Sequence, residues 1–416
     1  MIRIGIVGCG RILAAHLRGY RLLYEAGYRD FQITALCSRK LDDARMYVKR
    51  GEGPPQRPAV SNLAGDPLAI GDEYLSDFQP EVEVATYADY REMIASRRID
   101  AVNDFSTHAL HHQIAAVAFE HGKHLMSQKP LAITVAAARR MCEEAERRRL
   151  TFGVFENFRY APATRHLRWA FDSGLAGKLQ MFLLGYAGVW WAPNLIVADT
   201  PWRHMKSEAG GISLDLGVHF FDQLRYVAGE IKSVSAQTAV LEPVRYTRDG
   251  EGRAIREQAC DADDTFTAHL ETEGGALGSM FASWAGHGGS TRVEQGSVYL
   301  GSKGRISAGE FTPDGFLSEL LADLYRASAP AAVRDAHFPR EIDDSFALAQ
   351  LDWLQAVAAG RQPETSGREG LMDLATAFSL LESSAAGRPV APADVAEGRI
   401  RAFQRPLDVQ YGLESR

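Results

Sequence analysis

The first dozen residues constrain this chain more than any others. Ile2-Arg3-Ile4-Gly5-Ile6-Val7 is a short β-branched run, the composition of a strand buried on both faces. Gly8-Cys9-Gly10-Arg11-Ile12-Leu13 follows at once, and a helical apolar pattern runs from Ile12 to Ala26. Glycines between a strand and a helix permit a tight turn and close backbone approach to a pyrophosphate. The helix N-terminus adds N–H donors and partial positive charge. This placement points to a dinucleotide site at Gly8, Gly10, Arg11 and Ile12; the alternative is a plain structural turn. Leu13 stands where glycine or alanine would let helix and strand pack closely.

Strands at 32–37, 81–86, 100–105 and 124–127 alternate with helices at 41–49, 88–96 and 110–121. That alternation predicts a doubly wound parallel sheet. Residues 51–80 lose all periodicity, carry Pro54, Pro55, Pro58, Pro67 and Pro80, and read as a functional loop insertion. A helix at 134–149 capped by Thr134, a strand at 151–155 and a helix at 162–173 follow. Long alternating strands then come at 178–191, 231–243, 264–272, 276–284, 292–300 and 304–308, with Glu273-Gly274-Gly275 and Gly301-Ser302-Lys303-Gly304 as hairpin turns. One helix, about 214–228, sits among them, and 343–359 and 370–386 close the chain as helices. The expected organisation is an α/β domain over 1–130 and an α+β domain with a large, mostly antiparallel open sheet over 131–416. The C-terminal helices pack back on the first domain in this reading.

The charge sum of 46 basic and 53 acidic residues is −7, a poor match for nucleic acid or an anionic membrane. The four cysteines form no CxxC pair, and read as free thiols in a reducing compartment. A strand beginning at Ile2 leaves no room for a signal peptide, and the uncharged run Leu179–Ala198 is interrupted by Gly185, Gly188, Pro193 and Asn194. The expectation is a cytoplasmic protein.

At the end of the second strand, an acidic residue would hold the ribose hydroxyls of NAD. This chain has Ser38 and Arg39, which suit a 2′-phosphate and tilt the reading toward NADP; Arg39 also suits stacking on the adenine of NAD, or plain solvent exposure.

Two further places carry chemistry. Ser127-Gln128-Lys129-Pro130 ends a strand at the carboxyl edge of the sheet, where ligands bind in such folds. A lysine there can donate to a substrate hydroxyl, act as a base if burial lowers its pKa, or simply precede a turn. Asp215 and His219 in Gly210-Gly211-Ile212-Ser213-Leu214-Asp215-Leu216-Gly217-Val218-His219 are four apart, so they share one helix face. A carboxylate one turn from an imidazole can orient it for proton transfer. A surface salt bridge and a metal pair are the alternatives, and no third ligand at a diagnostic spacing supports a metal.

In order along the chain, GIVGCGRILAAH (5–16), STHALHH (106–112), SQKPLA (127–132), ENFRYAP (156–162), Trp202-Arg203, GGISLDLGVHFFD (210–222), GRQPETSG (360–367) and SSAAGRPV (383–390) resemble the Gfo/Idh/MocA family of oxidoreductases. His108 replaces that family's proline, and Gln128 replaces the glutamate of its EKP motif. The resemblance implies hydride transfer between a nicotinamide cofactor, NAD or NADP, and a secondary alcohol of a sugar or polyol. It implies His219 as acceptor of the hydroxyl proton, Asp215 as its orienter and Lys129 on the same oxygen. It adds Thr107, His112, Gln128, Lys129, Trp202 and Arg203 to Ser38, Arg39 and the glycine loop as cofactor ligands. The substrate would meet Lys129, Arg159, Tyr160, Trp191, Asp215 and His219, with Trp190, Trp191 and Trp202 as candidate faces for sugar stacking. His166, His269 and His287 are read as non-catalytic. Two other activities stay open at this point: a glycoside-cleaving hydrolase or lyase that oxidises the sugar transiently, and a non-catalytic nicotinamide sensor. The open sheet face predicts a homodimer or homotetramer through the C-terminal sheet.

Overall fold

A computed structural model describes residues 1–61, 65–188 and 195–414. Along the first part of the chain β1 (Ile2–Val7), α1 (Leu13–Glu25), β2 (Phe31–Cys37), α2 (Leu41–Arg45), β3 (Ala85–Tyr87), α3 (Tyr90–Ala95), β4 (Ala101–Asp104), α4 (His108–Glu120), β5 (His124–Ser127), α5 (Val135–Arg148) and β6 (Phe152–Val154) alternate. The six strands form one sheet in the order β3-β2-β1-β4-β5-β6, and every neighbouring pair is parallel. Strand order reverses between β1 and β4, so the glycine loop leaves β1 at the switch point, where such sheets bind ligands.

Gly8 has φ +96°, and a Cβ there would lie 2.5 Å from the carbonyl carbon of Phe105. The close approach that the loop needs is therefore made at Gly8 against the chain leaving β4. Leu13 is freed to be a fully buried core residue with Ile4, Ile6 and Leu17, which accounts for the missing third glycine.

The helix expected over 41–49 ends at Arg45, and the strand expected over 81–86 forms only at Ala85–Tyr87. The strand is short because of Gln79: its Oε1 accepts from the Ile33 N–H at 3.0 Å and its Nε2 donates to the Ile33 carbonyl at 2.7 Å. That side chain takes the place of a neighbouring strand along β2, and leaves β3 to pair only with Ala35–Cys37. The insertion contains two short 3₁₀ turns, Pro67–Ala69 and Leu75–Asp77.

The next elements are α6 (Pro162–Asp172), β7 (Leu179–Ala187), α7 (Ile212–Asp215), α8 (Gly217–Ala228), β8 (Ile231–Ala239), β9 (Val244–Arg248), β10 (Ala254–Ala259), β11 (Thr265–Thr272), β12 (Leu277–Ser283), β13 (Thr291–Gly301), β14 (Gly304–Ser307), β15 (Glu310–Pro313), β16 (Glu319–Leu320), α9 (Leu321–Ser328) and α10 (Ala331–His337). Eight strands form a mixed sheet in the order β16-β15-β14-β13-β7-β12-β11-β8, antiparallel throughout except for β7 with β12. Both expected hairpins form, β11–β12 and β13–β14. The single strand expected over 231–243 is instead broken after Ala239. The Asp264 carboxylate accepts from the N–H groups of Leu241 (2.9 Å) and Glu242 (2.8 Å), which turns the chain into the separate β9–β10 hairpin. The outer edge of β8 is bridged at Val234 by Val390, which protects it from pairing with another chain. The end of the strand expected at 178–191, with Trp190 and Trp191, lies outside the described residues.

The chain ends with α11 (Ser345–Ala359), α12 (Gly367–Ala386), α13 (Pro392–Ala396) and α14 (Arg405–Gln410). It divides into two compact units, the first Met1–Ile133, Ala137–Ala161 and Asp335–Leu371, the second Thr134–Ala136, Pro162–Arg334 and Met372–Arg416. The units thus interleave beyond residue 130. In the first, Leu348, Leu351 and Trp353 of α11 share the core of Leu13 and Leu17 on α1.

Candidate active site

In the first unit, α1 has no acidic residue in its first turn, and a Cβ on Gly10 would meet no atom within 4 Å. The space beside Gly10 is open, as the close approach of a pyrophosphate requires. Ser38 and Arg39 follow β2, half-buried and exposed respectively. Thr107 occupies the N-cap position of α4 without a side-chain cap bond. The His112 Nδ1 is buried with no hydrogen-bond partner among the described residues, and burial, with His111 and Arg140 behind it, lowers its pKa. An unsatisfied buried ring nitrogen and an open glycine cradle fit a dinucleotide that brings its own polar groups.

Lys129 stands two residues beyond the end of β5, and Gln128 fixes its backbone. Gln128 Oε1 accepts from the Lys129 N–H at 2.8 Å, while Gln128 Nε2 lies 2.9 Å from His16 Nε2. His16 is wholly buried and stacked on Phe105 at 3.6 Å, and burial holds its pKa well below the usual value. A neutral imidazole has one accepting nitrogen, and Nε2 in that role takes a hydrogen bond from the Gln128 amide, while Nδ1 faces Gln350 at 3.2 Å. Gln128 therefore spans α1 and the lysine backbone as donor and acceptor at once, which a carboxylate cannot do. The carboxyl group near Lys129 comes from β6 instead. Ser127 pairs with Val154, and the Phe155 N–H donates to the Ser127 carbonyl at 2.8 Å, so Glu156 follows β6 as Lys129 follows β5. Glu156 is buried, and burial pushes its carboxyl up to about 8 while the charges of Lys129 and Arg159 pull it back.

His111, next to the expected cofactor ligand His112, ties down the segment after the lysine. Its Nδ1 lies 3.2 Å from the Pro130 carbonyl and 3.1 Å from that of Leu131, and its Nε2 lies 3.4 Å from the Ser106 carbonyl. Arg159 and Tyr160, expected to meet substrate, are buried and bonded within this unit. Arg159 donates to Glu369 (3.0 Å) and the Glu364 carbonyl (3.2 Å), and the Tyr160 hydroxyl donates to Asp352 (2.9 Å).

In the second unit, the helix expected over 214–228 is two helices joined at Leu216 (φ −102°, ψ −30°). Asp215 closes α7, and His219 lies in the first turn of α8; both are buried. Gly211, at φ +109°, starts α7 because a Cβ there would fall 2.1 Å from Asp263 Oδ1. That approach lets Asp263 cap the helix: its carbonyl accepts from the Ile212 N–H at 2.9 Å, and Oδ2 from the Ser213 N–H at 3.1 Å. Burial pushes the Asp263 carboxyl up to about 6, with Ser213 drawing it down. Arg203 donates from Nε to Asp215 Oδ2 at 2.8 Å, and its guanidinium lies 4.4 Å from the Trp202 ring centre. The structure thus brings together Trp202, Arg203 and Asp215.

Among the described residues no cluster of metal-ligating side chains exists, and no helix is long and apolar enough to cross a membrane. The cysteines form no disulfide, and burial raises the Cys37 and Cys142 thiols to about 12. Sequence reading missed Asp263, Glu156 and His16. His16 closes the GIVGCGRILAAH segment and Glu156 opens the ENFRYAP segment, so both lay inside motifs already in view, whereas Asp263 lies in none of them.

A parallel sheet with its glycine loop at the switch point, in a chain that also carries an α+β unit, defines a nicotinamide-dinucleotide-type oxidoreductase architecture. The comparisons agree. Residues 2–156 match the oxidoreductase-family NAD-binding Rossmann fold, and residues 164–307 match the GFO/IDH/MocA C-terminal domain. The chain belongs to the Gfo/Idh/MocA oxidoreductase family. It is 26% identical over 385 residues to the myo-inositol 2-dehydrogenase of Thermotoga maritima, covering 92% of this chain and 96% of that protein. It is likewise 26% identical over 347 residues to the D-xylose dehydrogenase of Paenarthrobacter nicotinovorans, covering 76% of this chain and 83% of that one. A solved levoglucosan dehydrogenase, in complex with NADH and L-sorbose, shares the fold with a TM-score of 0.71 at 21% identity, over 95% of this chain and 100% of that chain.

Proposed function

We propose that this protein transfers a hydride between a nicotinamide dinucleotide and a secondary alcohol or ketone of a sugar or polyol. The observation that carries the reading is the placement of Lys129 just past the carboxyl end of β5, beside the buried carboxyl group of Glu156. Asp215 and His219, buried on successive turns in the second unit, complete the catalytic set that the family resemblance assigns. Bound dinucleotide supplies the hydride acceptor or donor. His219 takes the hydroxyl proton, Asp215 orients the imidazole, and Lys129 donates to the same oxygen. The test is turnover with a carbohydrate panel for wild type, Lys129→Ala and His219→Ala, with dinucleotide binding measured separately. Loss of turnover in both variants with binding retained supports the roles, and unchanged turnover in both removes them.

Ser38 and Arg39 support a preference for NADP over NAD, which parallel titrations of the two dinucleotides test. Met181 and Leu277 support a homodimer or homotetramer through the second sheet. They are paired across β7 and β12 and are 39% and 58% exposed, and adjacent apolar side chains on an open sheet face favour a covering partner. A monomer by light scattering contradicts this.

A further inference from the structure

The 51–80 insertion has no part in the reading above, yet its first half is latched to the glycine loop. Arg11 Nη1 donates to the Pro58 carbonyl at 2.9 Å, and Arg57 Nη1 donates to the Cys9 carbonyl at 3.1 Å. An arginine from each segment thus reaches the backbone of the other. The Tyr47 hydroxyl donates to the Gly10 carbonyl at 3.2 Å, and Gln56 Nε2 donates to the Glu73 carbonyl at 2.8 Å, tying the two halves of the insertion together. Arg57 also pairs with Asp43 in the first turn of α2.

These contacts place Arg57 between the glycine loop and α2. The loop itself is anchored to the carboxyl end of β2, where the Gly8 N–H donates to the Cys37 carbonyl at 2.9 Å. In a parallel sheet of this kind the adenosine ribose lies at that strand end, and the pyrophosphate lies on the glycine loop. Arg57 stands between the two positions with its side chain 32% exposed. The bonds to Cys9 and Asp43 use two of the five N–H donors of its guanidinium. A planar, permanently charged fork is the side chain best matched to a phosphate.

We propose that residues 56–58 of the insertion form a wall of the dinucleotide site and that Arg57 is a ligand for a phosphate on the adenosine half of the cofactor. The proposal rests on the reading that the dinucleotide crosses Gly8 and Gly10. Asp43 then holds the guanidinium in position and yields part of it when the phosphate arrives.

The experiment is calorimetric titration of NAD+ and NADP+ into the full chain as wild type, Arg57→Gln, Arg57→Lys and Arg50→Gln, each first checked for an unchanged melting transition. Arg50 bonds Asp72 and Asp77 and touches no part of the glycine loop. Arg57→Gln keeps a donor near Cys9 and removes the charge. The expected result is at least a tenfold rise in Kd, partly recovered in Arg57→Lys, with Arg50→Gln within about threefold of wild type. A loss confined to NADP+ assigns the 2′-phosphate, and an equal loss for both assigns the pyrophosphate; either supports the proposal. Unchanged affinity for both in folded Arg57→Gln overturns it, as does an equal loss in Arg50→Gln, which would make the effect one of a loosened insertion. Wild-type protein that binds neither dinucleotide, or a Gly10→Val variant that binds both normally, would instead remove the underlying placement of the cofactor.

Discussion

Arg203 and Asp215 form a direct ion pair, Nε to Oδ2 at 2.8 Å, with side-chain exposures of 18% and 7%. Sequence reasoning gave the two residues to different ligands, the arginine to the cofactor and the aspartate to proton transfer. We propose that this contact lets the arginine position the carboxylate. The Trp202 ring fixes the guanidinium from one side.

Arg203→Ala should therefore lower kcat by about 100-fold, the cost of a catalytic group displaced by about 1 Å, with dinucleotide Kd held within about threefold. Arg203→Lys keeps a charge but not the fork, and should recover little. A variant with normal kcat and a raised dinucleotide Kd would return Arg203 to the cofactor.

Gly211→Ala combines a left-handed φ of +109° with a contact of 2.1 Å to the Asp263 carboxylate. The expected cost is about 1–3 kcal/mol from the backbone strain alone, read from a urea midpoint. Because the clash displaces the cap of α7, kcat should fall with it. A stability within about 0.5 kcal/mol of wild type would contradict the strain as well as the clash.

Glu156 sets a pH dependence with a definite sign. Its carboxyl is raised from the model-peptide value to about 8 by burial. Between about pH 4.5 and pH 8 the folded chain keeps a proton that the unfolded chain has lost, so this group's contribution to stability declines as pH rises. Glu156→Gln carries no such proton. Its stability relative to wild type should grow by up to about 1.4 kcal/mol per pH unit across that window. Parallel denaturation curves at several pH values check this, and a constant difference would sink it.

The first unit was legible because its signals are local. A β-branched run, two glycines and a helical period lie within a few dozen residues, and β1, β2 and β5 form within a residue of where the periodicity puts them. What escaped depends on side chains acting at a distance. Gln79 shortens β3 by bonding Ile33 across 46 residues, and Asp264 divides the expected 231–243 strand by capturing Leu241 and Glu242. Neither leaves a period in the sequence. The exposed β10 shows no alternation of buried residues at all. At the site, Lys129, Asp215 and His219 carried recognisable spacing. Glu156 and Asp263 did not, because their roles come from burial and from strand register rather than from their neighbours in sequence.

The most direct test follows reduced-nicotinamide absorbance while sugars and polyols are offered with NAD+ and NADP+. The account predicts that at least one secondary alcohol drives reduction by wild-type protein. Lys129→Ala and His219→Ala should lose that reduction by about 100-fold or more, the usual scale for a proton-transfer group, while still binding dinucleotide. A sugar that binds the dinucleotide-loaded protein and releases an aglycone, or nothing, without net reduction would contradict it.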